Sequence, residues 1–272
     1  MRRTKEQKAL DEELFRECEG YYEDDDKPDG AYIKEYGIFF NLNKIKRLIA
    51  SGADVNAKSK FDTTPLYWAG SVELAKLLID SGADVNAKGE YGTTPLHFAD
   101  NVELAKLLID SGAKVNAKDG YSNTPLHFAV FRNIELAKLL IASGADVGAK
   151  DDDGRTPLHL ADNVELAKYL IDSGAKVNVK RKDGSTPLHL AVRGNRIEIA
   201  KFLIDSGADV NAKDNKKINP LLIAIKCKDI EAIELLIKSG VKIDANSMTV
   251  LSVILPKIHS ILIKNKIEIT KK

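Results

Sequence analysis

The sequence is poor in cysteine and has no long apolar runs. Its 272 residues include only 2 cysteines, Cys18 and Cys227, which excludes a disulfide-stapled scaffold and predicts two free thiols in a reducing compartment. No run approaches the roughly 18 apolar residues of a membrane-spanning helix, and no signal-peptide-like apolar segment follows the charged N-terminus. We expect a cytoplasmic protein that does not bind membranes, with secretion as an effector by another route left open.

An excess of one charge is also absent. Lys and Arg together number 41 and Asp and Glu 40, a net charge of +1, so the composition gives no basis for general nucleic-acid binding. The common catalytic motifs are missing as well, including Gly-x-Ser-x-Gly, His-Glu-x-x-His and Cys-x-x-Cys. We therefore expect no enzyme activity, no catalytic residue, no cofactor and no metal.

What the sequence does contain is an internal repeat. The segment 94–113 recurs with small changes along most of the chain. Successive copies start 30, 30, 32, 30 and 33 residues apart, at Thr64, Thr94, Thr124, Thr156, Thr186 and Asn219. A fixed period in this range is typical of an array of stacked repeats.

Each copy predicts two short helices and a polar connector. In the copy from Thr94, the threonine can cap the first helix, and the proline after it suits the first helical position. Asn101 offers a cap for a second helix, on which Leu104 and Leu108 share one side. Gly112 then provides the left-handed residue with which helices commonly end. Because one such unit cannot bury both helices alone, neighbouring units must stack.

The repeated motifs resemble those of the ankyrin repeat. They are Thr-Pro-Leu-His-Phe-Ala, Glu-Leu-Ala-Lys-Leu-Leu-Ile and Ser-Gly-Ala-Asp-Val-Asn-Ala-Lys, and the resemblance covers about residues 31–247. It implies an all-α repeat solenoid of stacked helix–turn–helix units, with β-hairpin-like loops projecting along one edge and capping helices at both ends. It also implies a protein–protein interaction scaffold that binds its partner through the loop tips and the concave helical face, and we expect this scaffold to be monomeric.

The copies depart from the usual 33-residue ankyrin period. Those from Thr64, Thr94 and Thr156 lack three residues between the two helices, and the copy from Thr124 lacks one. The copies from Thr186 and Asn219 are full length. We expect the shorter turn to trim the end of the first helix.

Three segments are predicted. Residues 1–30 form an N-terminal capping helix and an acidic loop, 31–247 an array of about seven repeats, and 248–272 a degenerate C-terminal capping repeat with a basic tail. The first helix of the first repeat is either 31–40 or 5–18, and we favour 31–40. The acidic loop is interpreted as a solvated linker, because the spacing of a calcium-binding loop is absent.

Four histidines occupy one position of the repeat: His97, His127, His159 and His189. A metal ladder is excluded by distance, since equivalent residues on packed helices lie roughly 8–10 Å apart and zinc–nitrogen bonds measure about 2 Å. The resemblance implies that each histidine hydrogen-bonds the local backbone. Tyr67 replaces histidine in the copy from Thr64.

The predicted binding surface consists of positions that the repeat framework does not need. Loop tips are expected three residues before each copy begins, at Phe61, Tyr91, Tyr121, Asp153, Asp183 and Lys216. A second contact row directly precedes each copy, at Thr63, Thr93, Asn123, Arg155, Ser185 and Ile218. Phe131, Arg132 and Arg193 lie in the longer turns between helices.

Aromatic side chains are enriched in binding hot spots. We therefore expect an aromatic N-terminal half and a charged C-terminal half of one groove-like surface. The alternative is that the three aromatic tips only pack on the neighbouring loop.

The C-terminal tail carries one more signal. Leu255-Pro-Lys-Ile-His-Ser-Ile-Leu resembles the opening of an F-box, although only 16 residues follow Pro256. One interpretation is an adaptor or host-directed effector that uses 248–272 as a recruitment element. The other, which we favour, is a capping repeat.

Overall fold

The computed structural model describes residues 3–19, 32–35 and 38–243. The chain divides between Asp146 and Val147 into two compact units, here called unit 1 (Met1–Asp146) and unit 2 (Val147–Lys272). Apart from one short hairpin in unit 1, the described residues of both units form helix pairs joined by polar connectors, which confirms the helical repeat architecture.

The described part of unit 1 contains a short hairpin and a series of helices. Its elements are α1 (Lys5–Glu19), β1 (Tyr32–Glu35), β2 (Ile38–Asn41), α2 (Leu42–Ala50), a 3₁₀ helix (Pro65–Trp68), α3 (Val72–Asp80), a second 3₁₀ segment (Glu90–Gly92), α4 (Pro95–Phe98), α5 (Val102–Asp110), α6 (Pro125–Ala129) and α7 (Ile134–Ala142). The described part of unit 2 contains α8 (Pro157–Leu160), α9 (Val164–Asp172), α10 (Pro187–Arg193), α11 (Ile197–Asp205), α12 (Pro220–Cys227) and α13 (Ile230–Lys238).

The second helix of the repeat from Thr94 forms for the reasons that the sequence predicts. In α5, the Asn101 side chain accepts the N–H of Leu104 at 2.7 Å, which satisfies one of the free donors of the first turn. Leu104 and Leu108 are buried, so the apolar side of the helix faces the core. The helix ends where Gly112 adopts a left-handed φ of 92°.

The length of the first helix follows the length of the turn after it. In shortened copies, α4 and α8 have 4 residues each, and the copy from Thr64 has only the 3₁₀ helix Pro65–Trp68. In full-length copies, α10 has 7 residues and α12 has 8. The prediction that a shorter turn trims helix one is therefore confirmed.

The prediction of a helix at 31–40 is wrong. Residues 32–35 and 38–41 form an antiparallel hairpin in which Ile33 pairs with Phe40. Short apolar runs do not distinguish helix from strand, and β-branched and aromatic residues favour the strand.

Helix α1 takes the helix-one position of the first repeat instead. It contacts both α2 and the 3₁₀ helix Pro65–Trp68. Lys44 of α2 holds it through Glu17 at 2.8 Å and Glu13 at 2.9 Å. The expected acidic loop and the tail 248–272, with its F-box-like segment, lie outside the described residues.

Asparagine side chains link each connector to the next. In unit 1, Asn56 Nδ2 donates to the carbonyl of Gly82 at 2.9 Å, and its Oδ1 accepts the N–H of Asp84 at 2.7 Å. Asn86 and Asn116 repeat both bonds, and Asn178 does so in unit 2. Gly148 stands at this position in the first connector of unit 2, where no side-chain amide can form the link.

No helix in the described ranges is long and apolar enough to cross a membrane.

Candidate functional site

The loop tips share one backbone arrangement. The N–H of the loop's first residue donates to the carbonyl four residues later, as from Asp119 to Asn123 at 3.0 Å in unit 1 and from Asp151 to Arg155 at 3.0 Å in unit 2. This bond closes a tight turn and leaves the third residue at the tip. The six predicted tip residues all occupy this third place.

The three tips of unit 1 are aromatic and exposed. The exposed fractions of Phe61, Tyr91 and Tyr121 are 49%, 61% and 56%. The rings of Tyr91 and Tyr121 stack, with centroids 6.0 Å apart and an interplanar angle of 28°. The two rings therefore contact each other, and more than half of each side chain also stays exposed, so their role in partner binding stays a prediction.

A close backbone approach aligns these two tips. The N–H of Gly120 donates to the carbonyl of Tyr91 at 2.5 Å. A Cβ on Gly120 would lie 2.9 Å from that same oxygen, so any larger residue would push the loops apart. The stacked pair is thus positioned by main-chain contacts as well as by the rings.

The second predicted contact row is largely internal. Thr63, Thr93 and Ser185 are buried, with exposed fractions of 2%, 5% and 0%, so they present no side-chain surface to a partner. Thr63 Oγ1 instead accepts the indole N–H of Trp68 at 3.0 Å. We correct the prediction by removing these three residues from the contact row.

The other members of this row support the loops from which they project. The Asn123 amide donates to Asp119 at 3.1 Å, and Arg155 Nε donates to Asp151 at 2.6 Å. Ile218 closes its loop, since its carbonyl accepts the N–H of Asp214 at 2.9 Å.

The tips of unit 2 are charged. Arg181 donates from Nε to Asp183 Oδ1 at 2.8 Å, and this guanidinium holds the pKa of the Asp183 carboxyl well below its usual range. Arg155 Nη2 lies 3.5 Å from Asp153 Oδ2, which makes a second ion pair at a neighbouring loop. Asp183 also accepts the N–H of Ser185 at 2.9 Å, so the charged tip is ordered by its own loop.

The repeated histidines hold neighbouring repeats together. His97 Nδ1 accepts the N–H of Thr94 at 3.0 Å, and its Nε2 donates to the carbonyl of Asn123 at 3.2 Å. His159 and His189 make the same contacts to the following loop. The prediction that these side chains bond the backbone is confirmed.

This environment favours the neutral imidazole. Burial lowers the pKa of His97, His159 and His189, and the pKa of His159 falls to about 4. Within the described ranges, no cluster of three or more His, Cys, Asp or Glu side chains is arranged to hold a metal ion.

Sequence reasoning missed an aromatic cluster on the first helices of unit 1. The ring of Tyr67 lies 5.4 Å from that of Trp68 and 4.6 Å from that of Phe98, and Phe98 lies 6.2 Å from Phe128. Trp68 and Phe98 remain 40% and 37% exposed. The available signal was that Trp68, Phe98 and Phe128 share one repeat position.

Arg132 lies against this cluster. Its Nη1 donates to the carbonyls of His97 and Ala99 at 2.9 and 3.2 Å, and its guanidinium carbon lies 5.7 Å from the ring centres of both Phe98 and Phe128. Burial lowers the pKa of Arg132. The structure thus gives Arg132 an internal role, whereas Phe131 is 60% exposed.

Unit 2 contains the same kind of contact. Arg196 Nη1 donates to the carbonyl of Ala161 at 2.5 Å. Arg193, the residue that the sequence singles out in this turn, is exposed. The arginine that reaches the neighbouring repeat is therefore not the one predicted.

Comparison with known proteins agrees with this architecture. A family model described as ankyrin repeats (3 copies) matches residues 36–119, 100–181, 126–214 and 161–249. Among solved structures, the chain is similar to the ankyrin repeat domain of Bcl-3, a member of the IkappaB protein family. The two share 29% identity and a TM-score of 0.62, over 72% of this chain and 93% of that one. No curated protein matches the sequence.

Proposed function

The chain belongs to the ankyrin repeat family, and on that premise we propose that it is a non-enzymatic scaffold that binds a protein partner through the aromatic tips of unit 1. Ankyrin repeats are generally protein–protein interaction modules, and the family is typically non-enzymatic. The proposed surface comprises Phe61, Tyr91 and Tyr121, together with the exposed Phe131 in the turn between α6 and α7.

The observation that carries the proposal is the exposed, stacked pair Tyr91 and Tyr121. Aromatic rings bury a large area on binding and lose little side-chain entropy, because few of their bonds rotate. The main-chain bond between Gly120 and Tyr91 orders the loops before a partner arrives. A preordered surface retains more of its interaction energy as affinity.

The charged tips of unit 2 form a separate candidate surface. This surface comprises charged positions that the repeat framework does not require, namely Asp153, Arg155, Asp183 and Arg193. Hydrogen bonds or ion pairs hold Asp153, Arg155 and Asp183. Such charges contribute more to specificity and association rate than to affinity. Their effect on binding should therefore weaken as salt is added.

The test is capture of a partner by the wild type beside a variant with Phe61, Tyr91 and Tyr121 changed to alanine. Captured proteins are identified by mass spectrometry and retested as purified proteins. A partner bound by the wild type and lost by the triple variant supports the proposal. Equal binding by both would move the site away from the tips of unit 1.

A matched control changes the tips Asp153, Asp183 and Lys216 to alanine. It removes the same number of side chains from equivalent loop positions, so it separates the aromatic chemistry from damage to the loops. Circular dichroism establishes that both variants retain their helices. Retained binding by this variant would assign the contact to the aromatic rings, whereas lost binding would assign it to the charged tips of unit 2 as well.

Three finer expectations remain proposals. The adaptor alternative depends on 248–272, which lies outside the described residues. We propose a cytoplasmic protein, which fits the free thiols of Cys18 and Cys227. We also propose a monomer, which size-exclusion chromatography with light scattering would test.

A further inference from the structure

A shortened repeat ends its first helix early and leaves carbonyl groups without helical partners. In two shortened repeats, an arginine from the following repeat binds them. Arg132 donates to the carbonyls of His97 and Ala99 in unit 1, and Arg196 donates to that of Ala161 in unit 2. Both donors come from repeats with a longer turn between their helices.

The third shortened repeat, from Thr64, is different. The repeat that follows it is also shortened and has Asp100 and Asn101 in place of a longer turn with an arginine. The carbonyls equivalent to those of His97 and Ala99 belong to Tyr67 and Ala69. Within the described ranges, neither of these two oxygens accepts a hydrogen bond.

A cavity of about 120 Å³ opens at this place. That volume corresponds to about four waters at ~30 Å³ each, which is comparable to a guanidinium group with its last methylene. The cavity is lined by Tyr67, Trp68, Ala69, Phe98 and Asp100, above a floor that includes Leu66 and Leu108. Two residues with unbonded carbonyl oxygens, two aromatic residues beside them and the acidic Asp100 thus line one small space.

We propose that this cavity binds an arginine side chain of the protein partner, an inference that rests on the proposed scaffold function. The arginine would donate to the carbonyls of Tyr67 and Ala69, as Arg132 does one repeat later. Trp68 and Phe98 would stack on its planar group, and the Asp100 carboxylate supplies the opposite charge.

Arginine fits this site better than lysine or an apolar side chain. Its planar fork offers several donors at once and stacks on aromatic faces, whereas the lysine ammonium is a compact point charge. An apolar side chain would cover the carbonyls of Tyr67 and Ala69 without bonding them, which is unfavourable. Within the chain itself, the equivalent position over Phe98 and Phe128 already holds the guanidinium of Arg132.

Trp68 makes the proposal directly measurable, because it is the only tryptophan in the sequence and it lines the cavity. We would titrate the protein with N-acetyl-arginine amide and follow tryptophan fluorescence at constant ionic strength. The citrulline analogue, which has nearly the same shape but no charge, is the matched control. A saturable change with arginine, and an effect at least about 5-fold weaker with citrulline and lysine analogues, is expected.

Two variants at Asp100 and one control sharpen this titration. Asp100→Asn should weaken the arginine response roughly 5-fold, whereas Asp162→Asn, at the same position of the shortened repeat in unit 2, should not change it. Replacing Asp100 with the Val-Phe-Arg found at 130–132 should supply the missing arginine in cis and abolish the response. Identical responses to arginine and citrulline, or an unchanged response in both Asp100 variants, would overturn the proposal.

The same graft separates this inference from the scaffold function. A partner that binds the wild type and is lost by the graft, with the graft still folded by circular dichroism, supports an arginine contact. A partner that binds both equally would leave the scaffold function standing and overturn the arginine site. If the wild type binds no partner, the scaffold proposal fails, and the Trp68 titration still decides whether the cavity takes a guanidinium.

Discussion

The loop tips of the two units have the same backbone and opposite chemistry. In both, a bond from the loop's first N–H to the fourth following carbonyl shapes the turn. The tips then carry stacked rings in unit 1, as in Tyr91 and Tyr121, and an ion pair in unit 2, as between Arg181 and Asp183. The repeat framework thus fixes where a tip lies but does not determine which side chain it carries.

The arginine–carbonyl contacts inside the two units show the opposite relation. These contacts are alike in both units, although the turns that supply the arginines differ in sequence. Each unit contains a shortened repeat followed by a longer one, and an arginine of the longer repeat binds carbonyls of the shortened one. Arg132 and Arg196 stand at different places within their turns. An arginine can therefore bind these carbonyls from more than one position in the turn, and no fixed motif position is required.

The largest effect is expected from the core that both units share. Leu108→Ala in unit 1 and Leu170→Ala in unit 2 alter the same position of a shortened repeat, and both side chains are almost fully buried. Each change should lower the free energy of unfolding by roughly 2–5 kcal/mol through the cavity that it creates. Urea denaturation measures the loss.

Hydrogen exchange tests how far each loss spreads. Because stacked repeats are coupled mainly to their nearest neighbours, protection should fall most within the unit that carries the change. Lys106→Ala, on the exposed side of the same helix as Leu108, serves as the control and should stay within about 0.5 kcal/mol. A uniform loss of protection over both units would contradict the nearest-neighbour interpretation.

The next largest effect is a loss of stability in acid, caused by the buried histidines. The pKa of His159 in the folded state is about 4, whereas an unfolded histidine has a pKa of about 6.5. Above pH 6.5 the His159 imidazole is mostly neutral in both the folded and the unfolded protein, so it takes nothing from the free energy of unfolding. Between pH 6.5 and 4 the unfolded state takes up the proton first, so stability falls by up to about 1.4 kcal/mol per pH unit.

A comparison with His159→Gln isolates this contribution from that of the carboxylates. Urea denaturation of both proteins at pH 7, 5.5 and 4 should show the wild type losing more stability on acidification. His97 in unit 1 and His189 in unit 2 add losses in the same direction, since burial lowers the pKa of each. Equal pH dependence of wild type and variant would refute the neutral, buried assignment of His159.

The parts of the fold that depend on neighbours in sequence could be predicted. The Asn101 cap and the left-handed Gly112 are set within one turn of chain, and the structure confirms both. Residues 31–40 could not be assigned in this way, because a short apolar run without periodicity fits a helix or a strand. Which segment takes the helix-one position is decided by contacts between distant residues, and in the structure α1 occupies it.

The candidate site was predictable only in part, for a similar reason. Tip positions follow from the repeat register, so Tyr91 and Tyr121 could be found by counting. The burial of Thr63 and the internal role of Arg132 could not, because they depend on side chains and carbonyls brought together across repeats. The carbonyl of His97 lies 35 residues from Arg132 in sequence.

A smaller effect is expected when the bridging arginines are removed. Arg132→Met in unit 1 and Arg196→Met in unit 2 keep most of the side-chain volume but remove the guanidinium donors. The carbonyl groups at the ends of α4 and α8 then lose these hydrogen bonds. Each should cost about 1–3 kcal/mol in the free energy of unfolding. Arg193→Met, in the same turn as Arg196 but exposed, is the control and should be nearly neutral. Equal costs for Arg193→Met and Arg196→Met would show that the carbonyl contact contributes nothing.

The smallest effect concerns the asparagine links between connectors, which are continuous in the described part of unit 1 from Asn56 to Asn116 and interrupted at Gly148 in unit 2. Gly148→Asn should allow bonds to the carbonyl of Gly174 and the N–H of Lys176, by analogy with Asn56. Each hydrogen bond contributes about 1 kcal/mol or less in net terms, so thermal denaturation should show a modest rise in midpoint.

Replacing a glycine also restricts the unfolded chain, which by itself stabilises by about 0.4–1 kcal/mol. Gly148→Ala is therefore the matched control, because it carries this entropic effect without an amide. The difference between the Asn and Ala variants gives the net contribution of the link, and Asn86→Ala should lose a similar amount in unit 1. The prediction is wrong if Gly148→Asn raises the melting temperature no more than Gly148→Ala does while Asn86→Ala lowers it. In that case the first connector of unit 2 would not have the geometry that the asparagine link needs.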